Sequence, residues 1–173
     1  MAVLIGLVGA VCPRAAAEAW EVKLGLGPTF GTEFDPDRAQ GLGGQAYLEV
    51  GLDDFVSLSL GGGYNQHFMG GPVEFSLANA GVGIHVNLDV ILFGVGLAWV
   101  PYAEARLGYL RLAQSGQAVE HGLGLAVGVG LDYIWSESAS AGFALEYHGQ
   151  LSNIQGLPGY LAVTARLGLR WLD

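Results

Sequence analysis

Along this chain, large apolar side chains alternate one by one with glycine, small or polar residues. The run Leu123-Gly124-Leu125-Ala126-Val127-Gly128-Val129-Gly130-Leu131-Asp132-Tyr133 shows it most plainly. Successive side chains of a β-strand point to opposite faces, so this run has one apolar face and one small, polar face. The same reading predicts strands at 19–30, 43–52, 55–66, 74–88, 139–149 and 160–171. In the first, Trp20, Val22, Leu24 and Leu26 oppose Glu21, Lys23, Gly25 and Gly27. In the second, Ala46, Leu48, Val50 and Leu52 oppose Gln45, Tyr47, Glu49 and Gly51. Val82, Ile84 and Val86 oppose Gly83, His85 and Asn87 in the fourth, and Leu167, Leu169 and Trp171 oppose Arg166, Gly168 and Arg170 in the last.

The fifth strand is harder to bound. Phe93, Val95, Leu97, Trp99, Ala103, Ala105, Leu107 and Tyr109 share one parity straight through Pro101. One very long strand would fit, but a proline inside it removes a ladder hydrogen bond. Alternatively, 89–99 is a connection and the strand begins near Trp99, while a ten-stranded count is a third option. Eight strands is the favoured number.

Two architectures can use such strands. A soluble sandwich packs the apolar faces against each other and needs polar residues outside. Here the other face offers mostly glycine, alanine and serine, too little charge to solubilise two sheets. A transmembrane barrel instead turns the apolar face to lipid and the small, polar face to its lumen. Composition favours the second: 51% of residues are hydrophobic, 13% are charged, and mean hydropathy is +0.41. Ordinary soluble domains carry about 25% charged residues. No apolar run reaches the roughly 20 residues a spanning helix needs. The expected fold is therefore all-β, an eight-stranded antiparallel up-and-down transmembrane barrel.

Connections and aromatics fit that fold. Asp53-Asp54 and Trp135-Ser-Glu-Ser138 read as tight turns, whereas 31–42, 66–73, 112–121 and 150–159 read as longer loops, the periplasmic and external ends of a bacterial barrel. Trp20, Trp135 and Trp171 fall at the short-turn ends. Phe30, Tyr64, Tyr109, Tyr147 and Tyr160 lie toward the long loops, so two interfacial girdles are expected. Trp99 joins the lower one if the fifth strand begins there.

Residues 1–17 read as a secretory signal peptide: an apolar run of about ten residues, then Ala15-Ala16-Ala17 as a cleavage site. The barrel domain is then 18–173. Cys12 is the one cysteine, so the mature chain has no disulfide or thiol chemistry. The whole chain carries sixteen acids and seven bases, and loss of 1–17 removes Arg14, leaving six bases and a net charge of −10. That balance argues against nucleic acid, which is held by clustered lysine and arginine.

The inward parity collects Glu21, Lys23, Glu49, Glu104, Arg106, Asp132, Glu146, Arg166 and Arg170, with His85 and His148. Buried charges are tolerated only when paired. The expectation is a side-chain network plugging the barrel, with Glu146 and Arg166 as a candidate pair; the alternative is a gated pore. His67, His85, His121 and His148 lack the usual spacing of metal ligands. Gly61-Gly62-Gly63 is followed by no helix, so it makes no phosphate cradle. No cofactor is expected.

Pro101-Tyr-Ala-Glu-Ala-Arg-Leu-Gly108-Tyr109, the run Gly122 to Tyr133, Gly142-Phe-Ala-Leu-Glu146-Tyr147-His148 and the closing Leu167-Gly168-Leu169-Arg170-Trp171 resemble the small outer-membrane β-barrels of Gram-negative bacteria, the OmpA/OmpX/OmpW-like family. The resemblance covers 18–173. It implies the cell outer membrane, contact with outer-membrane lipid and lipopolysaccharide, a closing aromatic read by the barrel-assembly machinery (here Trp171, which Leu172 and Asp173 follow), and a monomer. Its implied role is structural or interactive rather than enzymatic, with external loops as the contact surface; a narrow pore for small solutes is the alternative. A second resemblance is to lipid A deacylases of the PagL type, whose His-x-Ser-Asn motif is matched loosely by His148-Gly-Gln-Leu-Ser152-Asn153. Two extra residues separate His from Ser, and no Glu follows Ser152. A nucleophilic serine needs a base within reach and a group to orient it.

Overall fold

A computed structural model describes residues 20–33, 40–68, 73–93, 98–114, 116–152 and 159–171. The expected signal peptide at 1–17 lies outside the described residues. The chain forms β1 (Val22–Glu33), β2 (Gln40–Gly51), β3 (Val56–Phe68), β4 (Val73–Asn87), the short helix α1 (Leu88–Phe93), β5 (Trp99–Gln114), β6 (Glu120–Ser136), β7 (Ala139–Gln150) and β8 (Tyr160–Trp171). Each strand pairs antiparallel with its sequence neighbours, and β8 closes onto β1. The barrel is up-and-down and eight-stranded, not ten-stranded.

Closure sets the geometry. One row of paired residues runs from Ser57 on β3 through His85, Glu104, Gly128, Glu146, Ala162, Gly31 and Gly41. It returns to β3 at His67, ten residues beyond its start. That stagger, with ordinary strand spacing, tilts the strands about 40° from the barrel axis. Residues level with one another around the lumen are therefore distant in sequence.

The alternation partitions inside from outside as the pattern predicts. Leu24, Leu26, Leu58, Leu60, Val82, Ile84, Leu107, Val129, Phe143, Leu167 and Leu169 all lie exposed on the outer wall. An apolar surface of this extent is far beyond what soluble monomers leave to water; hydrocarbon is the medium that matches it. The strands of the wall are meanwhile paired neighbour to neighbour around a closed ladder, the arrangement that lipid requires.

The fifth strand begins at Trp99, and the preceding segment opens with α1. Pro101 sits inside β5 opposite Leu131. The β4 ladder stops one residue short of it, at Asn87 opposite Tyr102. The Ile134 amide donates to the Ala98 carbonyl, so even positions of β5 bond to β6 and the odd Pro101 faces the side where β4 has already ended. Its missing N–H therefore removes no ladder bond. The β2–β3 turn is held by Asp53, whose carboxylate accepts the amides of Phe55 at 2.9 Å and Val56 at 2.7 Å. At the opposite end the strands run further into the expected loops than alternation alone indicated.

Candidate functional site: the lumen

The barrel interior gathers every charged residue assigned to it from the sequence. Glu21, Glu49, Glu104, Arg106, Asp132, Glu146, Arg166 and Arg170 are buried, as are His85 and His148, and the Lys23 side chain is 13% exposed. They form layers. At the end holding the strand termini, Arg170 grips Glu21 with two parallel hydrogen bonds, one of them 2.8 Å. Above it Lys23 bonds to Asp132 and lies 3.5 Å from Glu49. Arg166 fills the middle. It donates to Glu49 at 2.6 Å and to the Tyr102 hydroxyl, with its guanidinium 3.9 Å from the Tyr47 ring centre and 4.8 Å from that of Tyr102. A planar, weakly hydrated cation suits this stacked and hydrogen-bonded position better than an ammonium would. Arg106 pairs with Glu146 and stands 3.7 Å from Glu104.

The expected pairing of Glu146 with Arg166 does not form. Register places Arg166 opposite Gly142 and Glu146 opposite Ala162, and both side chains find partners across the lumen instead.

Glycines make room for these large groups. A Cβ on Gly25 would meet the Tyr47 ring, one on Gly130 the Tyr102 ring, and one on Gly61 the Arg106 guanidinium. Tyr47 lies directly across from both Gly25 and Gly61, and Gly130 faces Tyr102. Tyr47 and Tyr102 thus lean over empty positions on adjacent strands, and Arg106 reaches past Gly83 on β4 to the empty position at Gly61 on β3, which is how a narrow barrel fills.

Toward the other end the lumen turns aromatic and apolar. His148 lies 3.7 Å from Glu146 and stacks on Tyr160 at 4.6 Å. Tyr160 meets His67 edge-on at 5.5 Å, and His67 stacks on Phe75 at 4.4 Å. Leu77, Leu110, Leu112 and Ala162 pack around them. Tyr160 therefore belongs to the interior, not to the outer girdle: its even parity in β8 is that of Arg166. The remaining girdle candidates, Trp20, Trp135, Trp171, Tyr64, Tyr109 and Tyr147, do lie exposed on the outer wall, as do Phe30 and Trp99.

Between these layers lie two cavities. One is bordered by Glu21, Lys23, Ser57, His85, Asp132 and Arg170. The other is bordered by Gly61, Asn79, Arg106, Leu110, His148 and Tyr160. Arg166, Tyr47 and Tyr102 line neither.

Sequence spacing gave no metal site, yet folding brings Glu49, His85 and Glu104 together, their ligand atoms within 4.8 Å of one another. His85 Nδ1 is 3.3 Å from Glu49, and its ring stacks on Tyr102 at 4.4 Å. Lys23 and Arg166 already neutralise Glu49, and Arg166 also stands 3.8 Å from Glu104. The three donors belong to the ion-pair network, and a divalent ion there would face two fixed cations. Of the loose lipid-deacylase motif, His148 is inward and stacked on Tyr160, the Ser152 hydroxyl accepts the Leu123 amide at 2.8 Å, and Asn153 lies outside the described residues.

No family model matches the chain, and no curated relative does. Among solved structures, Neisserial surface protein A superposes with a TM-score of 0.64 at 15% identity, over 87% of this chain and 94% of that one. The outer-membrane protein OprG of Pseudomonas aeruginosa gives 0.61 at 12% identity, over 92% of this chain and 99% of that one. The N-terminal β-barrel domain of OprF from the same organism gives 0.57 at 20% identity, over 88% and 98%. The likeness is one of fold, that of the small outer-membrane barrels.

Proposed function

We propose that this chain is a non-conducting anchor in the bacterial outer membrane, whose work is done at its surface rather than through its lumen. The observation that carries this reading is the Arg166 layer. A guanidinium wedged between two tyrosine rings and bonded to Glu49 occupies the lumen between the two cavities, and further ion pairs lie above and below it. Moving ions past it means breaking charge-assisted hydrogen bonds in a site of low dielectric. The segments joining strands at the end remote from the termini then serve as the external contact surface, held on a rigid scaffold. No catalytic role is assigned. The exposed aromatics at both strand ends are the interfacial girdles that fix the barrel's depth.

The test is conductance. The full chain, purified from outer-membrane fractions and shown by heat-dependent gel mobility to be folded, is inserted into planar bilayers. Silence over the period in which a porin control shows steps supports the reading. Steady, salt-dependent steps from the unaltered protein overturn it in favour of a narrow pore.

A further inference from the structure

Of the seven bases in the sequence, Lys23, Arg106, Arg166 and Arg170 are consumed inside the barrel, and Arg14 and Arg38 lie outside the described residues. Arg111 is the one base on the outer wall among the described residues. It follows Leu107 and Tyr109 on the same, outward parity of β5, at the end remote from the chain termini. Among the described residues it has no ion-pair partner. Its cross-strand row reads Tyr64, Ala78, Arg111, His121. The Tyr64 hydroxyl accepts a hydrogen bond from Gln66 at 3.3 Å and is also met by Ser76, while His121 is hydrogen-bonded to the Tyr109 hydroxyl.

Below this polar row the outward side chains become small. On β4 the outward positions are Ser76, Ala78 and Ala80, between Tyr64 on β3 and Tyr109 on β5. Gly62 extends the low ground beside Ala80. Two strand spacings, about 10 Å, separate the walls, enough for one alkyl chain to lie against the floor. A lone cation at the head of an apolar trough is complementary to a lipid that joins a negative headgroup to an acyl chain.

We infer that Arg111 and the Ala78–Ala80 trough dock a phosphorylated outer-leaflet glycolipid. Its phosphate meets the Arg111 guanidinium, with Tyr64, Ser76 and His121 supplying hydrogen-bond donors, and one acyl chain lies along β4 between the two tyrosines. Guanidinium–phosphate contact is charge-assisted and strengthened at the edge of the hydrocarbon, where water is scarce. The site rests on the outer-membrane reading above and deepens it.

The experiment uses the full, heat-modifiable chain in detergent micelles, with three probes: diphosphoryl lipid A, the same lipid with its phosphates removed, and inorganic phosphate. The wild type is expected to hold the diphosphoryl form about fivefold more tightly than the dephosphorylated one, the contribution of one basic residue near an anionic lipid surface. In R111Q that preference disappears; in R111K most of it remains. A80F, which fills the trough without touching the charge, weakens both lipids alike. The inference is overturned if R111Q keeps the wild-type preference, or if inorganic phosphate displaces the lipid at comparable concentration, which would make this a simple anion site. Failure of the membrane reading is told apart by location: the heat-shifted band would then be missing from the outer-membrane fraction for every variant.

Discussion

Arg166 shows how much a single residue does here. Removing one partner of a buried ion pair strands the other, at a cost of about 3–5 kcal/mol. Arg166→Met leaves Glu49 facing only Lys23 and His85, so a loss of that order is expected in urea titrations of the folded barrel in micelles. Adding Glu49→Gln removes the stranded charge, and the double variant is expected to recover part of the loss; full additivity would show the two residues to be uncoupled. A second residue-level prediction concerns space. Gly25→Leu drives its side chain into the Tyr47 ring and is expected to cost about 1–3 kcal/mol, relieved when Tyr47 is also cut to alanine. Which residues face inward was legible from parity alone, because the period of a strand is fixed. Which of them touch was not. Arg166 reaches Glu49 across 117 positions of sequence, and Arg106 reaches Glu146 across 40, through a stagger that no local pattern encodes. Glu146 and Arg166 looked like neighbours because their strands are, yet register sets Arg166 against Gly142.

At the scale of the element, β5 tests the distinction between wall and edge. Leu107 is outward and mid-strand, whereas Pro101 lies beyond the last pair of the β4 ladder. Leu107→Arg places a charge in hydrocarbon near the bilayer midplane and is expected to destabilise by about 2–4 kcal/mol. Pro101→Ala restores an N–H that has no ladder to join, and is expected to stay within about 0.5 kcal/mol of the wild type. Equal losses from the two, measured by the same urea titration, would contradict the register of β5. The start of this strand could be narrowed by sequence to two alternatives but not chosen. The shared parity from Phe93 to Tyr109 runs through both, and α1 shows that parity persisting where the strand does not. The apolar half of the lumen went unnoticed for another reason. Phe75, Leu77, Leu110 and Leu112 are inward, but only the charged and histidine side chains of that parity were collected, and Leu112 fell in the expected loop 112–121.

For the molecule as a whole, the sum of the interior decides what an opened lumen would pass. Five carboxylates, Glu21, Glu49, Glu104, Asp132 and Glu146, face four bases, Lys23, Arg106, Arg166 and Arg170. On the proposed reading the wild-type plug is closed, with these nine groups nearly balanced in charge. Cutting Tyr47, Tyr102 and Arg166 to alanine removes the stacked layer and one positive charge, joining the two cavities and leaving five acids against three bases. Fixed negative charge along a narrow path of low dielectric attracts cations and repels anions. Such a variant is therefore expected to conduct in planar bilayers, with reversal potentials under a salt gradient that favour the cation. Charge-reversing Glu104 and Glu146 to lysine in the same background should swing the selectivity toward the anion. A triple variant that stays folded by heat-dependent mobility yet remains silent would place the seal elsewhere, in the cluster of Phe75, Leu77, Leu110, Leu112 and Tyr160 at the far end of the lumen. Conduction without cation preference would instead mean that ions travel around the charged layer and not through it.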